Sequence, residues 1–284
     1  MIAGYFHQGS GLGNQLHRYV ATRVLATDRG VDYGMIYNPD GSGKEEGFKG
    51  KFFLGQPNLV ALPDYPEWQE KKVIENGVDI RSYDPEINFV EDDTIIEGEF
   101  QDPRYFEHRL EEIDEWLKVE PIVIPDDTCV IGFRGGEYSV FPDLYLTKGY
   151  WGKGIEIMKK RDITKFEVHT DDPERAREFF PDYPIIHDVG INWRSMRYAR
   201  HAIIANSSFY ILPRLLRHYE WDRRVGCTTC FDGYCEECKY KDCSCSHWGG
   251  QHGAVTTIAP RYWARRITQV WALPSNFYKQ FLYV

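Results

Sequence analysis

Between Cys129 and His218 the chain alternates short apolar runs with amphipathic stretches four times over. The runs Cys129–Phe133, Phe166–His169, Pro184–His187 and Ala202–Ala205 read as strands. The stretches near Lys148–Lys160, Pro173–Phe180, Asn192–Arg200 and Phe209–His218 read as helices. Four such units in series predict a parallel sheet with helices on both faces. Polar residues fall at the strand ends. Arg134 follows the first strand, Thr170, Asp171 and Asp172 the second, Asp188 the third, and Asn206, Ser207 and Ser208 the fourth. Ligands of open α/β sheets sit at the carboxyl ends of the strands, so this half is expected to hold a nucleotide.

The first half opens in a related way. A strand over Ile2–Phe6 enters the glycine-rich turn Gly9-Ser10-Gly11-Leu12-Gly13-Asn14-Gln15, and an amphipathic helix over Gln15–Thr27 follows. Asp28-Arg29-Gly30 ends that helix, with glycine in the usual C-terminal role, and a strand over Asp32–Ile36 comes next. Such a turn either brings backbone N–H groups up to a phosphate or serves the chain reversal alone. Residues 38–50 are polar and glycine-rich, a solvated connection or an active-site lid. A strand at Thr94–Glu97 and a charged helix over Tyr105–Val119 precede a hinge at Pro121 and Pro125-Asp126-Asp127. Two lobes are expected, 1–122 and 123–284, with the C-terminal segment packing back on the first lobe.

A net charge of −9, with no basic stripe, argues against nucleic acid as a partner. No apolar run approaches the roughly 18 residues of a membrane span, and the N-terminus lacks a charged-then-apolar signal pattern. A cytoplasmic protein is expected. Eight Trp and nineteen Tyr supply core, and aromatic faces also stack on sugar rings.

Several segments carry a family likeness. Ser10-Gly11-Leu12-Gly13-Asn14-Gln15-Leu16 resembles the G-G-L-G-N-Q-M/L signature of the α-1,2-fucosyltransferases, glycosyltransferase family 11. Glu97 to Phe106 is similar to that family's G-Y-W-Q-S-x-K-Y-F segment, and Ile131 to Tyr138 to its V-H-I-R-R-G-D-Y. Thr170-Asp171-Asp172-Pro173 resembles S-D-D-P, His201 to Phe209 resembles H-N-I-I-A-N-S-S-F, and Ile258 to Trp263 resembles I-A-P-K-x-W. All six lie in the family's order.

The resemblance implies a GT-B fold, two Rossmann-like lobes with parallel sheets. It implies inverting transfer of fucose from GDP-β-L-fucose to a glycan hydroxyl, O2 of a β-galactoside. Donor contacts would come from Gly11, Gly13, Asn14, Gln15, Arg134, Asp172, Asn206, Ser207, Ser208 and Phe209. Arg134 would grip the diphosphate and stabilise departing GDP, a task that suits its fixed guanidinium fork. Ser207 and Ser208 would bond phosphate oxygens or cap the next helix. Asp172 would accept from guanine or cap the helix that Pro173 begins. Glu137 and Asp143 are the carboxylates nearest the Arg134 loop and the candidates for removing the acceptor proton. No metal is needed for that chemistry.

The chain departs from the family at Gly132, where the family has His, at Gly135, where it has a second Arg, at Glu137 for Asp, and at Asn192 for a later Asp. Positions 132 and 134 share a strand face, so the missing ring is expected to leave space beside the sugar. These changes keep two other readings open, a transferase for another GDP-deoxyhexose and a non-catalytic GDP- or glycan-binding module.

Six of the seven cysteines lie between Cys227 and Cys245. Cys227-x2-Cys230 and Cys235-x2-Cys238 form two chelating hooks, followed by Cys243, Cys245 and His247. Structural zinc, disulfides and unligated thiols all fit, and a reducing compartment favours zinc. Four thiolates leave no open position for catalysis. The cluster belongs to a small Cys-rich insertion, 210–245, inside a family motif. Cys129, alone in an apolar run, is expected to be a buried small hydrophobe.

Overall fold

The computed structural model describes residues 1–5, 11–36, 73–75, 83–140, 145–225, 255–260, 265–266, 269–270 and 281–284. They fall into two compact units, Met1–Val119 and Glu120–Val284. The 38–50 loop, Asp143, Trp263, and the cluster from Cys227 to His247 lie outside the described residues.

The first unit has a four-stranded parallel sheet in the order β2-β1-β4-β3. The strands are β1 (Ile2–Tyr5), β2 (Tyr33–Ile36), β3 (Val73–Glu75) and β4 (Thr94–Glu97). Sequence reading missed β3. Helix α1 (Leu12–Arg29) carries buried residues on nearly every side. It starts three residues earlier than expected, so Gly13, Asn14 and Gln15 belong to its first turn. Extended Gly11 is its N-cap, and Leu12 and Leu16 are both buried. Gly30, at φ 67°, closes it by donating its N–H to Ala26 and Thr27 carbonyls. The helix expected over Tyr105–Val119 is broken. Two short 3-10 turns, Pro103–Tyr105 and Glu107–Arg109, precede α2 (Leu110–Trp116). The Asp102 carboxylate accepts from the Arg104 N–H and starts the first turn early.

The second unit has six parallel strands in the order β12-β9-β8-β5-β6-β7. They are β5 (Thr128–Phe133), β6 (Lys165–Thr170), β7 (Ile185–Ile186), β8 (His201–Ile204), β9 (Thr256–Ala259) and β12 (Leu282–Tyr283). A two-stranded hairpin, β10 (Arg265–Arg266) and β11 (Gln269–Val270), is separate. Helices α3 (Lys148–Lys159), α4 (Pro173–Phe179), α5 (Val189–Tyr198) and α6 (Ser208–Val225) connect the strands. Counted from β5 the strand order is 3-2-1-4-5-6, that of dinucleotide-binding sheets. The expected α/β class, with a Rossmann-like parallel sheet in each half, is what the chain adopts. The expected packing of the C-terminal segment back on the first lobe falls mostly on residues 261–264, 267–268 and 271–280, outside the described residues. Leu282 and Tyr283 extend the second unit's own sheet beside β9, and Phe281 packs against His218 of α6.

All six residues of β5 are buried, Cys129 among them, and burial pushes its thiol pKa up. Arg214 of α6 is wholly buried and spends its guanidinium on backbone. It donates to the carbonyls of Met196 and Ala199 at 2.9 and 2.7 Å and to Thr257 Oγ1 at 2.8 Å. One cation thus ties the end of α5 to β9 and α6. Among the described residues no helix is long and apolar enough to cross a membrane.

His17, His201 and His218 are buried imidazoles. His17 of α1 bonds the Gly13 carbonyl at 2.8 Å, and burial lowers its pKa to about 4. Burial first, then neighbouring arginines led by Arg200, lowers His201 to about 3. Burial, then Arg214 and Arg217, holds His218 well below its ordinary value. Each folded pKa lies below the unfolded value of about 6.5, so the unfolded chain binds more protons in mildly acidic solution. Stability is therefore complete above pH 6.5 and drains away as pH falls toward 4. Denaturant titrations should lose up to about 1.4 kcal/mol per pH unit for each histidine that titrates. A flat profile from pH 6.5 to 5 would show that these rings are solvated in the native protein.

Candidate functional site

The strand order of the second sheet reverses between β5 and β8, which are hydrogen-bonded neighbours. Chains leave their carboxyl ends in opposite directions and open a crevice there. The Ala205 N–H donates to the Gly132 carbonyl at 2.9 Å and holds the two ends together. Arg134 stands at one lip, and Asn206, Ser207 and Ser208 at the other.

Arg134 is largely buried, with its side chain 27% exposed. Its Nη1 donates to Asp171, its Nη2 donates to Glu137 at 3.1 Å, and its Nε is buried with no partner. Desolvation opposes its charge, but Asp171 first, then Tyr210, Tyr138 and Glu137, outweigh that and raise its pKa. Glu137 sits on the 3-10 turn Gly136–Val140.

Asp172 caps α4, its Oδ1 accepting from the Arg175 N–H at 3.1 Å. Asp171 accepts from the Gly135 N–H at 3.0 Å as well as from Arg134. Asp188 caps α5 through the Ile191 N–H. Asn192, where the family has Asp, bonds His169 Nδ1 at 2.9 Å and the Thr170 carbonyl at 3.2 Å. It braces the end of β6 from below the crevice.

At the β8 lip Asn206 and Ser207 are each 5% exposed, and Asn206 Oδ1 is buried without a partner. Ser208 begins α6, whose 18 residues carry no acid in the first turn. The positive end of that helix therefore faces the crevice with its charge uncompensated from within. Phe209 packs edge-on against Trp193 at 5.8 Å. Tyr138 links the two lips. Arg134 lies over its ring at 5.3 Å, and its hydroxyl donates to the Asn206 carbonyl at 3.4 Å.

Tyr210 was not singled out from sequence, and it explains Gly132. Its hydroxyl donates to the Phe133 carbonyl at 3.1 Å and lies 3.4 Å from that of His169. A Cβ at position 132 would stand 2.9 Å from the Tyr210 ring and 2.8 Å from Met196 Cε. The space expected beside the sugar is already filled by these two side chains. At position 135 a Cβ would stand 2.6 Å from that of Asp172, so no second arginine fits there.

Of the glycine turn, Gly11, Gly13, Asn14 and Gln15 are described, and they form the start of α1 in the first unit. Gly11 caps α1 without a side-chain bond, and Gln15 is wholly buried. Asn14 Oδ1 accepts from Gln101 Nε2 at 3.1 Å. Buried Phe100, just before Gln101, takes the left-handed conformation at φ 49°, a strained backbone of the kind that collects at functional sites. Arg18 pairs with Glu99 at 2.7 Å. Among the described residues no group of metal-ligating side chains occurs.

No protein-family model matches the chain, and no curated protein matches it. It is similar to solved glycosyltransferase structures. One is E. coli heptosyltransferase WaaC with ADP, 9% identical with a TM-score of 0.44, covering 100% of this chain and 92% of that one. The same enzyme with ADP-2-deoxy-2-fluoro heptose gives 9% identity and 0.39, over 99% and 98%. A family 9 glycosyl transferase from Veillonella parvula DSM 2008 gives 8% and 0.40, over 100% and 85%. Similarity at this level does not assign the chain to a family.

Gly132→Ala tests the close approach of Tyr210. Overpacking at a filled site should destabilise the protein by about 1–3 kcal/mol in denaturant unfolding, and Gly132→His by more. An unchanged midpoint would mean that Tyr210 does not occupy this space.

Proposed function

We propose that the chain is a glycosyltransferase that binds a nucleotide-diphosphate sugar at the β5–β8 reversal of its second sheet. What carries the reading is the meeting of Arg134 and the α6 N-terminus across Tyr138. A guanidinium with a bare Nε, a buried orphan amide oxygen on Asn206 and a helix start are chemically suited to a diphosphate and the ribosyl hydroxyls near it. Two units with parallel sheets are the parts of a GT-B enzyme.

The finer assignment rests on the sequence resemblance. The donor is GDP-fucose, and the acceptor is a glycan hydroxyl, O2 of a β-galactoside. Arg134, with Ser207 and Ser208, neutralises the charge on departing GDP, so no catalytic metal is required. Asp172 caps α4 through Oδ1 and keeps Oδ2 for the guanine N–H groups. The carboxylate that takes the acceptor proton is Glu137 or Asp143. Gly11, Gly13, Asn14 and Gln15 belong to the donor site as the resemblance implies. Structural zinc on the cysteine hooks is part of the same reading, as is a cytoplasmic location. The alternative is a transferase for another GDP-deoxyhexose, which the same phosphate contacts would accept; its ground is the departure at Gly132, where Tyr210 and Met196 crowd the backbone.

The test is GDP release with a panel of GDP-sugars and galactoside acceptors. Arg134→Ala should cost about 2–4 kcal/mol in the transition state and weaken GDP binding. Wild-type turnover in that variant would remove Arg134 from the mechanism. GDP binding without transfer to any acceptor would mark a binding module.

A further inference from the structure

Arg134 has two acidic partners, and they are held very differently. Asp171 is built in. It accepts from both Arg134 Nη1 and the Gly135 N–H, and its side chain is only 29% exposed. The chain makes room for it. A Cβ at position 136 would run into the Asp171 carboxylate, and Gly136 itself takes φ 28°. Glu137 is held loosely. It makes one 3.1 Å contact with Nη2, and its side chain is 68% exposed. Exposed pairs of this kind contribute little and weaken with salt, whereas charge-assisted bonds with a second donor hold.

We infer that Asp171 is a positioning residue that fixes Arg134 through Nη1, and that an incoming phosphate oxygen replaces Glu137 on Nη2. The inference rests on reading this crevice as a diphosphate site. With both carboxylates engaged, the cluster of Arg134, Asp171 and Glu137 carries a formal charge of −1. Releasing Glu137 leaves a neutral pair whose Nη2 is aimed at the ligand. Glu137 is thus a counter-ion that competes with the donor. Asp171 is the group that keeps the guanidinium from turning away.

The experiment is calorimetric titration of the full chain with GDP, wild type against Glu137→Gln, Asp171→Asn and Asp171→Ala. Glu137→Gln should bind about two- to fivefold tighter, the range set by an exposed ion pair. Both Asp171 variants should bind about tenfold more weakly, the loss of a charge-assisted contact. A ligand-free readout runs beside it. In 15N NMR the Arg134 guanidinium should rotate slowly in wild type and Glu137→Gln, and freely in Asp171→Asn. Unchanged or weaker binding by Glu137→Gln, tighter binding by Asp171→Asn, or equal rotation in wild type and Asp171→Asn would each overturn the inference. No GDP binding by wild type would end the diphosphate reading and the displacement with it, while the NMR arm still decides which carboxylate fixes Arg134.

Discussion

The chemistry available to the second unit depends on one topological constraint, the reversal of strand order between β5 and β8. Two neighbouring strands end side by side, and the chain leaves them in opposite directions. The hydrogen bond from Ala205 to Gly132 sets the two ends level. A guanidinium and a helix N-terminus, far apart in sequence, then face each other over a shared crevice. Tyr138 spans it, and Tyr210 seals its floor by bonding the last carbonyl of β5. The surrounding framework serves that alignment. Arg214 ties α6 to β9 and to the end of α5, so the helix start that faces the crevice is held from behind.

The glycines near the site are best understood by what they admit. Gly132 admits the Tyr210 ring, and Gly135 and Gly136 admit the acidic pair at the end of β6. Side chains at these positions and the present packing exclude one another. At positions 132 and 135 the side chains of Tyr210 and Asp172 press against the backbone.

Much of this was legible in the sequence. Apolar runs of four or five residues, each followed by polar residues, marked four of the second sheet's six strands, β5 to β8, and the lip residues Arg134, Asn206, Ser207 and Ser208, while β9 and β12 went unread. Asp172 was visible as a cap because proline follows it. Other features left no local signal. β3 has three residues and borrows its stability from β4, so no periodicity announced it. The broken start of α2 came from Asp102 bonding the backbone two residues on, against a helical charge pattern. Tyr210 looked like any core aromatic, since only the fold reveals that it lies opposite a strand glycine. Asp171 and Asp172 are adjacent and chemically alike, and no local signal in the sequence marked Asp171 as the partner of Arg134. Backbone geometry sends Asp172 to its helix and Asp171 to the guanidinium.

The central claim is that the β5–β8 crevice is a diphosphate site. A crystal structure of the full chain with GDP tests it most directly. The account predicts the diphosphate between the Arg134 guanidinium and the first turn of α6, with its oxygens at hydrogen-bond distance from both, about 2.7–3.0 Å. GDP bound elsewhere, with Arg134 and the α6 N-terminus untouched, would contradict it.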